Sequence, residues 1–225
     1  MSVVILEHIK VRMNSYNTII NAIRGICSNI RINFNPSGDG RIEAAIREDE
    51  YLQLFKSRME TEHPDIQVEI APPRFWYDVR VGNIPINLKL TTLGTDNCMN
   101  KKAVYYSITG KEDYPHASNW NEFWKHVCDG PRKVERDQMT EYHYLVVNKI
   151  DGTFILKAML DIQNFRPNAS NDLQINWKNE SKVQDILSDD LDESVKNLLS
   201  VIQTSVRMAH STSKSFLDAD ISTAW

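Results

Sequence analysis

Trp76-Tyr77-Asp78-Val79-Arg80-Val81-Gly82-Asn83-Ile84-Pro85-Ile86-Asn87-Leu88-Lys89-Leu90-Thr91-Thr92 is the stretch that decides the fold. Gly82-Asn83, set between two runs of alternating residues, predicts a hairpin with a two-residue turn. That turn pairs Val81 with Ile84, Arg80 with Pro85, Val79 with Ile86 and Asp78 with Asn87. Side chains alternate along a strand, so one face carries Tyr77, Val79, Val81, Ile84, Ile86, Leu88 and Leu90 and is expected to be core. The other face carries Trp76, Asp78, Arg80, Asn87, Lys89 and Thr91. There Asp78 and Asn87 would stand opposed with Cβ atoms roughly 5 Å apart, and Lys89 would follow on the same side. A carboxylate, a second oxygen ligand and an ammonium group suit metal-assisted phosphodiester hydrolysis. The carboxylate holds Mg²⁺, the metal polarises the phosphoryl oxygen and acidifies a bound water, and the lysine orients that water. The bland alternative is a solvent-facing hairpin whose polar residues are simply its wet side.

Upstream, residues 1–30 read as a helix on the spacing of Ile5, Ile9, Met13, Tyr16, Ile20, Ile23 and Cys27, with a packing role that extends to a possible subunit interface. A breaker-rich loop over 33–40 leads to a second helix from about Arg41 to Glu60, with Ile42, Ala45, Ile46, Leu52, Phe55 and Met59 as its apolar side. The acids near its start suit the helix dipole, but Glu43 lies one position from that stripe and is a candidate to reach the metal. Ile66, Val68 and Ile70 alternate as a strand before Pro72-Pro73 and complete a meander with the hairpin.

Downstream, Thr91 to Lys102 places hydroxyls, amides and two lysines ahead of an apolar helix over 103–108, with Thr95 or Asp96 as its cap. This resembles a phosphate-binding arrangement and makes Thr91, Thr92, Thr95, Asn97, Asn100, Lys101 and Lys102 candidate DNA contacts. Trp120, Phe123 and Trp124 read as a core or interface helix, and the charged connection 129–141 either tracks a DNA backbone through Arg132, Lys133 and Arg136 or is a solvated loop. Tyr142–Asn148 and Thr153–Leu160 are strands that extend the sheet. The amide-rich segment 164–177 offers Arg166, Asn168, Asn171, Gln174 and Asn176 for base readout or for ordinary Asx turns. Ser194–Met208 closes the chain as an amphipathic helix before a polar tail.

With 225 residues, 41% hydrophobic and 25% charged, the chain is expected to form one domain: an N-terminal helix (1–30), a core (41–110), a sheet extension with a recognition loop (142–177), and a C-terminal helix and tail (194–225). Without an apolar run of about 18 residues or the ordered regions of a signal peptide, the expected location is cytoplasmic. Three cysteines without CxxC spacing suggest reduced thiols in place of disulfides or zinc. A net charge of −4 argues against nucleic-acid coating by bulk charge, but leaves room for a basic groove.

Asp78 after Pro72-Pro73, the strand Asn87-Leu88-Lys89-Leu90-Thr91-Thr92, the Asp96 to Lys102 segment and Asn171 to Trp177, with Glu43 on an early helix, together resemble a type II restriction endonuclease of the PD-(D/E)XK superfamily. The resemblance spans most of the chain. It implies an α/β fold with a mixed central sheet flanked by helices, Mg²⁺-dependent cleavage of double-stranded DNA to 5′-phosphate ends, a homodimer, and a cognate DNA methyltransferase as system partner. On this reading Asp78, Glu43, Asn87 and Lys89 form the catalytic set, and Asp78 and Glu43 hold the metal. Two departures stand out: Tyr77 precedes Asp78 where the family has proline, and Asn87 stands where it has Asp or Glu. Three alternatives follow: Glu43 supplies the missing carboxylate, with Glu69 in reserve; the Leu88 carbonyl serves as a ligand; or the site is inactive. Related alternatives are a structure-specific repair or recombination nuclease and an inactive DNA-binding protein.

Overall fold

A computed structural model describes residues 3–31, 40–94, 97–168, 172–183 and 188–217, with side chains described over 16–31, 46–94, 97–168, 173–183 and 188–211. Two helices, α1 (Val3–Asn29) and α2 (Gly40–Glu62), precede a meander of β1 (Val68–Ile70), β2 (Val79–Val81) and β3 (Ile84–Thr91). The β2–β3 register pairs Val81 with Ile84 and Val79 with Ile86, as the Gly82-Asn83 turn requires. Gly82 takes φ +57°, and a Cβ there would also lie 2.9 Å from Ile19 Cδ1 of α1. Positive φ at the first turn position alone is the type II′ geometry, whose twist matches the flanking strands.

After β3 come β4 (Asn97–Cys98), α3 (Lys101–Thr109) and α4 (Trp120–Asp129), then the hairpin of β5 (His143–Asn148) and β6 (Phe154–Ala158). The five-stranded sheet has the order β1-β2-β3-β5-β6, with β3 parallel to β5 and every other pair antiparallel. β7 (Phe165–Asn168) and β8 (Asp172–Ile175) join β4 in a separate three-stranded sheet. The strands expected to extend the main sheet do so as β5 and β6, whereas the amide-rich segment expected as a recognition loop builds a second sheet. The short helix α5 (Trp177–Glu180) and the long helix α6 (Leu191–Leu217) finish the chain. The architecture is α/β, a mixed central sheet flanked by helices.

Both sheet faces are covered. Ile23 and Ile26 of α1 and Phe55 and Met59 of α2 pack on Val79, Val81, Ile84, Ile86 and Leu88. The opposite face meets Val104 and Ile108 of α3 and Leu198 and Ile202 of α6. β5 lies between them, sending Leu145 and Val147 to the first core and Tyr144 and Val146 to the second. All six of its residues are buried, and its middle, Tyr144 to Val147, carries no alternating polar residue. Tyr77 belongs to the second core and not, as expected, to the face of Val79, because strand alternation stops where β2 begins. Ile46, expected on the apolar side of α2, is 54% exposed. Thr95 and Asp96, the expected caps of α3, lie outside the described residues. Asn100 performs that role, its side chain accepting from Lys102 N–H. The described half of α1 is core, with Ile19, Ile20, Ile23 and Ile26 buried, while the side chains of 1–15 lie outside the described residues.

Two buried polar clusters lock the layers. Arg136 donates to both carboxylate oxygens of Glu141 at 2.9 and 3.1 Å and to Asp161 Oδ1 at 2.9 Å, and its Nη1 donates to Ser188 C=O. The residue expected on a DNA-tracking or solvated loop is thus a buried strut, its planar guanidinium fork answering two buried carboxylates at once. Buried His143 is held between α1 and its own strand. Its Nδ1 lies 3.0 Å from the Glu141 carbonyl, which can only accept, so Nδ1 carries the proton and Nε2 accepts from the Tyr16 hydroxyl at 2.9 Å.

Candidate active site

β3 outruns its partner. β2 covers β3 only as far as Ile86, where Asp78 N–H donates to Ile86 C=O, and beyond that point the N–H groups of Leu88 and Leu90 have no strand to meet. Two carboxylates take their place. Asp78 Oδ2 accepts from Leu88 N–H at 2.7 Å, and Glu48 Oε1 accepts from Leu90 N–H at 3.2 Å. Backbone groups alternate along a strand, and Thr91 C=O accepts from Lys149 on the β5 side, so Leu88 C=O points to the same open edge, between the two carboxylates.

Asp78, Asn87 and Lys89 do come together. Asn87 Nδ2 donates to Asp78 Oδ2 at 2.7 Å, and Lys89 Nζ lies 3.1 Å from Glu48 Oε2. Burial pushes the Asp78 carboxyl up from its ordinary pKa; the Lys89 ammonium and the Leu88 N–H pull it down, and Glu48 pushes it up again. A cation beside it would relieve that burial cost.

Glu48, not named among the candidates from the sequence, is the helix carboxylate that reaches β3. Glu43 sits in the first turns of α2 and its side chain lies outside the described residues. Glu69 is exposed on the edge strand β1, opposite Arg80 and one strand removed from β3. Arg80 itself pairs with Glu112 at 2.6 Å. Among the described residues no three His, Cys, Asp or Glu side chains converge. The oxygen set is instead two carboxylates with a backbone carbonyl. Both bonds of Asp78 fall on Oδ2 and Oδ1 takes none among the described residues, so lone pairs remain for a hard cation such as Mg²⁺. Asn87 fits less well as a ligand: its amide faces Asp78 as a donor, and its Oδ1 lies 3.5 Å from Asn97 Nδ2.

A cleft of ≈ 700 Å³ opens beside this edge. Asn87 and Lys89 line it together with Asn97, Asn100, Lys101 and Lys102, so four of the expected DNA contacts share one concavity with β3. Lys102 Nζ lies 4.9 Å over the Trp76 ring and Lys101 Nζ 4.6 Å over Trp120. Thr92 is exposed, whereas Thr91 is only 3% exposed and its hydroxyl accepts from Leu93 N–H, which removes it from the contact surface. Thr95 and Asn171 lie outside the described residues. Arg166 is the register partner of Gln174, which in turn pairs with Cys98 of the cleft wall, so the three share one face of the small sheet. Asn168 is half-buried on β7, opposite Asp172. Asn176 caps α5 by accepting from Asn179 N–H, the ordinary use of a loop asparagine.

Among the described residues no helix is long and apolar enough to cross a membrane. No family model matches the chain, and neither does any curated protein or solved structure.

Proposed function

We propose that the chain is a metal-dependent phosphodiesterase acting on DNA. More particularly, we read it as a type II restriction endonuclease of PD-(D/E)XK type, cytoplasmic and homodimeric, cutting double-stranded DNA at a defined sequence beside a cognate methyltransferase. The observation that carries this is the pair of carboxylates, Asp78 and Glu48, docked in succession on the open edge of β3 with Lys89 bonded to one of them. A bound Mg²⁺ would be held by Asp78, Glu48 and the Leu88 carbonyl, and would polarise the scissile phosphate and acidify a water. Lys89 would orient the attacking water and offset charge on the phosphate. Lys101 and Lys102 hold neighbouring phosphates, and Arg166 and Gln174 are placed for base edges. A two-fold dimer would match a palindromic site.

Incubation with plasmid or phage DNA in Mg²⁺, beside EDTA and the variants Lys89→Ala and Glu48→Ala, tests the reading. Discrete fragments should appear only with metal, and each variant should lose about 10²–10⁴-fold in rate. DNA left intact across a broad panel overturns it. One observation favours a second reading: the Asn87 amide answers Asp78 where the family has a second acid, which suits a protein that binds DNA without cutting it. Retarded but uncut DNA in Mg²⁺ would select that alternative.

A further inference from the structure

Duplex DNA keeps its bases stacked on one another, yet the cleft beside β3 is furnished to meet a base by its face. Phe75 lines the cleft and is 44% exposed. It is also deliberately held. The Pro72-Pro73 turn closes with Phe75 N–H donating to Pro72 C=O at 3.1 Å, and Arg74 is kept at φ +66°, a left-handed conformation that costs a non-glycine residue free energy. The Phe75 ring meets Tyr77 edge-on at 4.8 Å and 88°, which fixes its orientation.

Behind it, Trp76 stacks on Tyr142 with centroids 5.5 Å apart and 24° between planes, forming a rigid aromatic wall. Asn97 and Asn100 add amide groups, and Lys101 and Lys102 add charge at the mouth. The volume, ≈ 700 Å³, falls within the roughly 300–1,000 Å³ of clefts that enclose a small organic ligand. Aromatic stacking, amides for a polar edge and lysines for flanking phosphates together describe one nucleotide out of the helical stack.

We propose that the cleft seats one unstacked nucleotide of the DNA substrate next to the scissile phosphate, its base stacked on Phe75 and its edge met by Asn97 and Asn100. This rests on the nuclease reading of the site and narrows its substrate to DNA in which a nucleotide is unpaired or is turned out on binding.

The test is fluorescence anisotropy in EDTA, where nothing is cut, with three labelled DNAs of one sequence: a fully paired duplex, the duplex with a single unpaired nucleotide, and the single strand. The full chain, Phe75→Ala and Phe75→Trp are compared, with circular dichroism reporting their folds. Wild type should favour DNA carrying an unpaired nucleotide over the paired duplex by roughly 5- to 150-fold, the factor that one aromatic stack supplies. Phe75→Ala should erase that preference and Phe75→Trp keep it. Preference for the bulged duplex over the single strand identifies a nucleotide turned out of a helix; equal binding of the two identifies a single-stranded substrate. A paired duplex bound as tightly as either, or a preference that survives Phe75→Ala, overturns the proposal. Plasmid cleavage in Mg²⁺, run in parallel, separates the two readings. Cleavage without a Phe75-dependent preference removes the nucleotide seat and keeps the nuclease, and the reverse pattern removes the nuclease alone.

Discussion

His143 makes the stability of this protein dependent on pH between about 4 and 6.5, a window it shares with Asp161, whose carboxyl burial pushes up to about 6 and whose effect on stability has the opposite sign. Burial lowers its pKa from 6.5 to about 4; the nearby Glu141 charge and the bond to the Glu141 carbonyl oppose this, and Arg136 and Lys133 add to it. The folded-state pKa lies below the unfolded one, so between the two values the unfolded chain takes a proton that the native chain refuses. Stability from this group is therefore complete above pH 6.5 and is lost as pH falls toward 4. At about 1.36 kcal/mol per pH unit, the whole window is worth about 3 kcal/mol, and the part between pH 6.5 and 5 about 2 kcal/mol. Urea unfolding at pH 7.5, 6.5, 5.5 and 5.0 measures it, with His143→Gln as the comparison that cannot titrate. The variant should start less stable, having lost its bond to Tyr16, and should decline less steeply on acidification. Equal slopes for the two proteins would refute the reasoning, since the difference between them isolates the histidine from the carboxylates.

Asn87→Asp exchanges a donor to Asp78 for a second charge facing it. Its Tm should fall in EDTA and rise on adding Mg²⁺ by more than that of wild type; a thermal scan showing the same response in both would count against a cation site at this edge. Arg136→Met leaves Glu141 and Asp161 buried without their cation and should cost about 3–5 kcal/mol in urea unfolding, where a loss below about 1 kcal/mol would contradict the strut described for that residue.

The hairpin was legible because its information is local: a Gly-Asn turn and period-2 alternation set the Val79–Ile86 pairing without help from the rest of the chain. The helix carboxylate was not. Several acids crowd the first half of α2, and their charge alone does not single out the one that reaches the sheet. One signal was available, since Glu48, Leu52, Phe55 and Met59 follow the spacing i, i+4, i+7, i+11, which places an acid on the buried stripe itself. Glu43 lies only beside that stripe, whereas Glu48 belongs to it. β7 was hidden for a different reason: Arg166-Pro167-Asn168 reads as a turn, and only an edge position lets a strand carry that proline. Arg136 looked like a solvent residue because its partners Glu141 and Asp161 are near in sequence only in part, and the bond to Ser188 spans 52 positions.

The overhang of β3 carries a hazard as well as a chemistry. Unsatisfied N–H groups in a row on a flat apolar strand invite the strand of another molecule, the usual route to edge-to-edge aggregation. Here Asp78 and Glu48 occupy those groups and leave negative charge where a foreign strand would have to pair. The side chains proposed to hold the metal thus also act as guards of the sheet margin. Substituting both by alanine should promote edge-to-edge association, so any loss in a cleavage assay of such a protein would have to be separated from lost monodispersity before it was ascribed to the proposed metal site.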